Sequence, residues 1–400
     1  MQDSLRSSRV RAFLVAEAIS AIGTWATLIA IWGYAAYEFD ATAGEVSLFG
    51  VALTAPAVVL GPVVGSVVDR FGPRLTLGLA KTAGVLASLA LLLADDFRTL
   101  ALLSVIHGVV GAFTNPALQA LPPRIVPDSE LARANALVSL TDEFAIVMGP
   151  VVGAVAIGAF GFRGAFVVDA LTYGLGLIVL PLVRVRDIEV DDANPVRFRD
   201  AMLGLRLVWR TPILRRTVIA MSLVHLLYGA ALLAEPLYVR DVLERPASVF
   251  AALQTVFGIC LVAGGILVAR LDERLASYGW VAFGAAASGI TAAVYLGTPW
   301  IVVAFGGVAL WGGFTALLSG PSRTLLQRNA PETAHGRVLA TGFFAASVAQ
   351  LIGIGVTGLL VSRIGVPAAI ALLGSLVTGT AIVLERAQRR EAGIAPATVG

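Results

Sequence analysis

The sequence predicts an all-α polytopic membrane protein, with twelve transmembrane helices forming two pseudo-repeated six-helix bundles. Three observations predict it. Apolar residues make up 58% of the 400-residue chain and charged residues only 14%, against about 25% charged in soluble domains; such a chain could not cover a water-facing surface. Twelve apolar runs each reach the roughly 20 residues that cross a bilayer. The two halves of the chain also resemble each other weakly, as in many transporters.

The runs lie near 12–37, 46–68, 75–94, 99–121, 135–158 and 163–183, then 214–239, 247–269, 276–296, 299–321, 336–361 and 365–384. They divide the chain into a bundle over 1–183, a linker over 184–213, a second bundle over 214–385 and a tail over 386–400. The first run follows Arg6, Arg9 and Arg11 and is too long for a signal-peptide core, so it is read as a retained span. Between the second and third runs stands Gly65-Ser66-Val67-Val68-Asp69-Arg70-Phe71-Gly72-Pro73-Arg74, a tight hairpin. Gly72 and Pro73 break the helix and turn the chain. Gly65 admits a close neighbouring helix. Asp69 is an anion suited to a helix N-terminus or an arginine, and Arg70 and Arg74 are cations for the membrane surface. The fifth run carries Gly149-Pro150-Val151-Val152-Gly153, whose glycines share a face for close packing while Pro150 bends the helix. In the linker, Arg197 to Arg210 reads either as a basic amphipathic helix along the membrane surface or as a plain tether.

Twelve spans put both termini on one side, and the positive residues choose that side. The termini and the loops on their side hold 24 of the 29 Lys and Arg residues, Lys81 counted among them; Arg98, Arg163, Arg240, Arg245 and Arg363 are the five on the other side. Both termini are therefore expected in the cytoplasm. A single lysine among the basic residues points to a GC-rich bacterial genome, hence a multi-pass protein of the bacterial plasma (inner) membrane.

The internal repeat shows at two offsets. Adding 200 carries Gly65, Arg70, Arg74 and Arg163 to Gly265, Arg270, Arg274 and Arg363; adding 204 carries Arg124, Pro127, Asp128 and Arg133 to Arg328, Pro331, Glu332 and Arg337. Ala269 stands where Asp69 stands in the first half, so the hairpin has a degraded copy.

Ionisable residues inside spans are costly and are functional candidates by default. Glu17 lies about 9 Å into the first span, and Asp142 and Glu143 about 13 Å into the fifth. His107 and His225 have similar depth in the fourth and seventh, and Asp169 lies about 9 Å from the outer end of the sixth. Glu17, Ser20, Thr24 and Thr27 share a face; so do His107, Gly111, Asn115 and Gln119, and so do His225, Tyr228 and Glu235. Asp142 and Glu143 point about 100° apart, which leaves open which of them faces inward. Proton coupling needs a carboxylate whose occupancy changes with access, and desolvation favours the neutral form.

The Gly65-x-x-x-Asp69-Arg70-x-Gly72-x-Arg74 pattern resembles the loop signature of the major facilitator superfamily, and Gly149-Pro150-x-x-Gly153 resembles the element of its antiporter members. Ser20-x-x-Gly23-Thr24-Trp25, Ala134-Asn135-Ala136-Leu137 and Pro212-x-Leu214-Arg215-Arg216 are similar to the macrolide-efflux and enterobactin-exporter type of drug:proton antiporter. The resemblance covers nearly the whole chain. It implies that spans 1, 4, 7 and 10 line the transport path, helped by 2, 5, 8 and 11, so Glu17, His107, Asn115, Asp142, Glu143 and His225 are path or proton-coupling candidates. Asp169, on a peripheral span, is read as a structural hydrogen-bonding group. The loop would be a cytoplasmic latch, with Asp69 facing the region of Arg337. Pro73 departs from the family's basic or polar residue there, which implies a stiffer loop.

Other classes find little support. Net charge is +3, which gives no footprint for nucleic acid; the one cysteine, Cys260, excludes a disulfide framework. Three histidines, no HExxH and no Walker sequence leave no expected metal, cofactor or enzymatic site. The expected function is proton-coupled efflux of an amphipathic or lipophilic small molecule, a multidrug-resistance type of activity, by a monomer in the lipid bilayer. Export of a siderophore or transport of lysophospholipid on the same fold is the alternative, and a transport-inactive receptor or scaffold is the alternative of another class.

Overall fold

A computed structural model describes residues 4–391 apart from residue 6, 187–197, 272–274, 276 and 332–333; of several helical residues, Asp69, Ala269, Asp142 and Glu143 among them, it describes the backbone alone. Residues 187–197 of the expected linker thus lie outside the described residues, as does the tail beyond 391. The described chain is helical without a strand: α1 Ser8–Tyr37, α2 Ala43–Phe71, α3 Pro73–Ala90, α4 Phe97–Gln119, a single turn α5 Pro122–Ile125, α6 Asp128–Val179, α7 Phe198–Arg210, α8 Pro212–Asp241, α9 Ala247–Leu271, α10 Tyr278–Leu296, α11 Ile301–Arg328 and α12 His335–Glu391.

Local chemistry starts these helices where they start. Ser7 caps α1, Thr42 forms a capping box with Glu45 on α2, and Asp96 accepts from the Arg98 and Thr99 amides to open α4. Those three Asp96 hydrogen bonds (Thr99 Oγ1 gives the third) hold its carboxyl below the usual range. Pro73 and Pro212 occupy first helical positions, where no amide is missed.

Ten helices are long and apolar enough to cross a membrane among the described residues. Two of them are twice the needed length, α6 with 52 residues and α12 with 57, and each turns back at one glycine. Gly161 has φ 70° and ψ −177°, Gly365 φ 77° and ψ 167°, a region open essentially to glycine alone. Counted by their arms, these helices are consistent with the twelve apolar runs. Gly72 makes the α2–α3 turn in the same way, with φ 80° and ψ 146°, so the expected tight hairpin turns on one residue between two continuous helices.

The chain divides into two compact units, Met1–Val196 with Pro246–Thr255, and Arg197–Arg245 with Val256–Gly400. In the first, α1 packs along α6, and α4 takes α2 and α3. In the second, α8 packs along α12, and α10 takes α11 and α12. The close approaches repeat at a spacing of 204 residues. A Cβ on Gly108 would overlap the Leu53 carbonyl, as one on Gly312 would overlap that of Phe257; Gly149 and Gly353, and the turning glycines Gly161 and Gly365, are paired likewise. This register corrects the matches made at 200: Asp69 and Arg70 align with Glu273 and Arg274, so Ala269 is not the counterpart of Asp69, and Arg163 does not align with Arg363. Arg163 follows its turning glycine by two residues, and Arg363 precedes its own by two.

Two further expectations need correcting. Gly65 hosts no close helix of its own unit, where a Cβ would meet nothing within 4 Å. And Lys81 is no loop cation: it lies fully buried in mid-α3, which lowers the cytoplasmic count to 23 against five. The first residues of the segment expected as a tail continue α12 to Glu391, where Arg216 of α8, only 4% exposed, binds Glu391 and Gln388. The amphipathic helix expected in the linker is α7, which seats Gly204 against α12 near Arg337 and Thr341 and leaves Leu203, Leu205 and Trp209 exposed.

Candidate functional site

The site is a buried polar cluster inside the first unit, built by four helices. From α1 come Glu17, Ser20 and Thr24, spaced three and four apart so that they fall on one face. From α3 come Lys81 and Ser88, from α4 His107, and from the second arm of α6 Asp169 and Tyr173. Lys81 and Asp169 are fully buried, and Glu17 and His107 are each 3% exposed.

Glycines make the room. A Cβ on Gly176 would collide with the Lys81 stem, and one on Gly84 would press into the Tyr173 ring at 2.8 Å. One on Gly23 would overlap Thr172, which lets α1 approach the arm of α6 that carries Asp169. Gly149 and Gly153 do the same on the other arm. A Cβ on Gly149 would overlap the Trp25 side chain, and one on Gly153 would lie 3.3 Å from Ala26. The buried Pro150 stands between them inside the helix. The small-residue motif of the sequence therefore presses α6 onto the face of α1 next to the cluster.

Lys81 Nζ lies 2.9 Å from Glu17 Oε2 and donates to Ser20 Oγ at 3.1 Å. It also sits 5.5 Å from the centre of the Tyr173 ring, a cation–π contact. Thr24 Oγ1 lies 3.2 Å from the Tyr173 hydroxyl and 3.4 Å from Asp169 Oδ1. Ser88 donates to Asp169 Oδ2 at 2.7 Å, and His107 Nε2 stands 3.8 Å from that same oxygen. Neither ring nitrogen of His107 has a hydrogen-bond partner among the described residues. Polar contacts thus run unbroken from Glu17 through Lys81, Tyr173 and Thr24 to Asp169, with His107 beyond it.

The second unit does without this cluster. At the 204-residue register, Glu17, Ser20, Lys81, Asp169 and Tyr173 correspond to Met221, Val224, Ala285, Leu373 and Val377, and His107 to Trp311; all six are buried. The same helix packing is filled there by hydrocarbon. The second unit has its own buried acid, Glu235 on α8, beside Tyr238 and Tyr295.

Of the residues singled out in the sequence, the structure brings Glu17 and His107 into one cluster. Asp169, read as a structural hydrogen-bonding group, does accept two hydroxyl contacts, but it also faces His107. Asn115 is exposed on α4, ahead of Pro116. His225 Nδ1 meets the Met221 carbonyl one turn back at 2.9 Å. The side chains of Asp142, Glu143 and Asp69 lie outside the described residues. Arg70 lies over its neighbour Phe71 at 5.6 Å, and Arg74 donates to the Pro181 carbonyl at 3.2 Å. Sequence reasoning missed Lys81, Ser88 and Tyr173. For Lys81 a signal existed: it is the one lysine of the chain, six residues inside an apolar run. No group of three or more His, Cys, Asp or Glu able to hold a metal occurs among the described residues.

Residues 13–354 match the profile described as Major Facilitator Superfamily. The chain is 24% identical to a multidrug efflux pump, Tap, of Mycolicibacterium fortuitum, over 89% of this chain and 90% of the relative. It is 24% identical to a Na(+), Li(+), K(+)/H(+) antiporter of Planococcus maritimus, over 88% and 89%. It is 22% identical to macrolide efflux protein A of Streptococcus pyogenes, over 82% and 83%. Among solved structures, a bacterial homolog of the human lysosomal transporter Spinster, inward-facing and occupied, superposes with a TM-score of 0.75 at 15% identity, covering 98% of this chain and all of that one.

Proposed function

The chain belongs to the Major Facilitator Superfamily, and from that premise we propose that it is a proton-coupled exporter of an amphipathic or lipophilic small molecule. It works as a carrier by alternating access, without a cofactor or a chemical step, in a bacterial plasma membrane with both termini cytoplasmic. One observation carries the coupling. Four ionisable side chains are buried inside the first unit at positions that the second unit fills with apolar ones. Buried charge in a membrane is costly, and Met221, Val224, Ala285, Leu373 and Val377 achieve equivalent packing without it. The cluster is therefore not what the fold requires, and an ion-coupled carrier is what would use it. A cation/proton antiporter among the relatives supports ion coupling, and the two efflux proteins support a drug-like substrate.

Within this reading Glu17 and His107 belong to the coupling site. Asn115, Asp142, Glu143 and His225 belong to the substrate path. Gly149, Pro150 and Gly153 couple α6 to α1. Gly72 turns the loop in which Asp69, Arg70 and Arg74 act as a cytoplasmic latch. The test is uptake into proteoliposomes under an imposed pH gradient, using ethidium and a panel of macrolides and lipophilic cations. Substrate accumulates on the acidic side, because each proton moving down its gradient draws substrate the other way. Glu17→Gln abolishes this, as does the double change Asp142→Ala with Glu143→Ala. Uptake equal to that of empty liposomes for every member of the panel would refute the reading.

A further inference from the structure

We infer that the coupling proton binds between Asp169 and His107, as one hydrogen held by Asp169 Oδ2 and His107 Nε2 in the interior of the first unit. The assignment rests on the exporter reading for the word coupling, and on the geometry of the cluster for the site.

Charge comes first. Lys81 is matched by Glu17 at 2.9 Å, so those two cancel. With Asp169 ionised and His107 neutral, the buried cluster carries one net negative charge. One added proton makes it neutral. Hydrogen bonding points to the same place. A buried ring with both nitrogens unpartnered among the described residues forgoes bonds it would have in water. The 3.8 Å gap from Nε2 to Oδ2 is too long for a hydrogen bond, and an added proton between the two atoms supplies the attraction that would close it. A proton on His107 makes an imidazolium that donates to the carboxylate; a proton on Asp169 makes an acid that donates to the ring. Either way one proton enters from water, one hydrogen bond forms between the same two atoms, and no other bond changes.

A metal ion fits the cluster poorly. Asp169 is already met by Ser88 at 2.7 Å and Thr24 at 3.4 Å, and Lys81 places a positive charge in the same cluster. The ionisable groups facing the pair are Glu17 from α1, Lys81 from α3 and Tyr173 from α6 itself. Transmission follows from who holds Asp169. Thr24 ties it to α1 and Ser88 to α3. In either form the new bond draws α6 toward α4; where the proton rests on Asp169 it also loosens α6 from α1 and α3, because hydrogen bonds to a charged acceptor are about twice as strong as those to a neutral one.

The test reads proton binding without any substrate. The chain has three histidines, so ring nitrogen NMR of the purified, detergent-solubilised protein resolves His107, assigned by its loss in His107→Gln. Infrared difference spectra across neutral pH read the carboxyl group. The expected result is one pH-dependent proton fewer per chain in Asp169→Asn, with the His107 titration displaced in that variant and the carboxyl band displaced in His107→Gln. Should Asp169→Asn unfold, Ser88→Ala reads the same coupling through a shifted His107 titration. An unaltered His107 titration in the folded Asp169→Asn or Ser88→Ala protein overturns the assignment. Gradient-driven uptake persisting alongside that result would discard the pair and keep the exporter. A displaced His107 titration in those variants, with no gradient-driven uptake by the parent protein, would keep the pair and discard the exporter.

Discussion

Replacing Lys81 with Met strands Glu17 as an unmatched carboxylate inside the first unit. The pair it breaks has an Nζ–Oε2 distance of 2.9 Å, with one partner fully buried and the other 3% exposed. Removing one member of such a pair costs about 3–5 kcal/mol. For a unit of this size each kcal/mol lowers Tm by about 2–4 °C, so the variant should melt roughly 6–20 °C below the parent. The double variant Glu17→Met with Lys81→Met removes both charges and copies the apolar pairing that the second unit makes with Met221 and Ala285. It should recover most of the loss. A residue of about 1 kcal/mol remains, because Ser20 loses its donor and Tyr173 its cation. Thermal melting in detergent, followed by tryptophan fluorescence, gives all three midpoints. If Lys81→Met melts with the parent, or the double variant melts no higher than the single one, the pair is not the buried charge match described above.

Two further outcomes concern the backbone. Gly149→Leu drives a side chain into Trp25 and should cost about 1–3 kcal/mol in a melting experiment, whereas Gly158→Leu on the same helix, where a Cβ meets nothing within 4 Å, should be nearly silent. Gly161→Ala and Gly365→Ala force alanine into a glycine-only region and should each cost about 1–3 kcal/mol, while Gly174→Ala, with helical backbone and open space, should not.

Much of this fold was legible in the chain. The apolar runs place nearly every helix within a few residues, because a bilayer demands one continuous length of hydrocarbon and polar residues mark where it stops. Gly72 and Pro73 marked their turn in the sequence, but the turns at Gly161 and Gly365 were less legible. A run of apolar residues looks the same whether it turns on one glycine or on a loop, which is why α6 and α12 read as separate spans. The cluster was half visible. Glu17, Ser20 and Thr24 share a helix face by counting, and the depth of His107 follows from its place in its run. Their partners do not follow, because Lys81, Asp169 and Tyr173 stand 64 to 156 residues away from Glu17 and meet it only through packing. The spacing of the repeat was legible at 204 from the Arg124 and Arg328 segments, but the coincidence of Arg163 with Arg363 at 200 was chance.

The burial of Lys81 also changes how this protein meets reagents. It is the chain's one lysine, and its amine is held between Glu17, Ser20 and the face of Tyr173. Succinimidyl esters, formaldehyde and lysine-directed proteases therefore meet no side-chain amine on the folded chain. Acylation of Lys81 becomes a clock for opening of the first unit, read by mass on a single peptide, and it needs no introduced label.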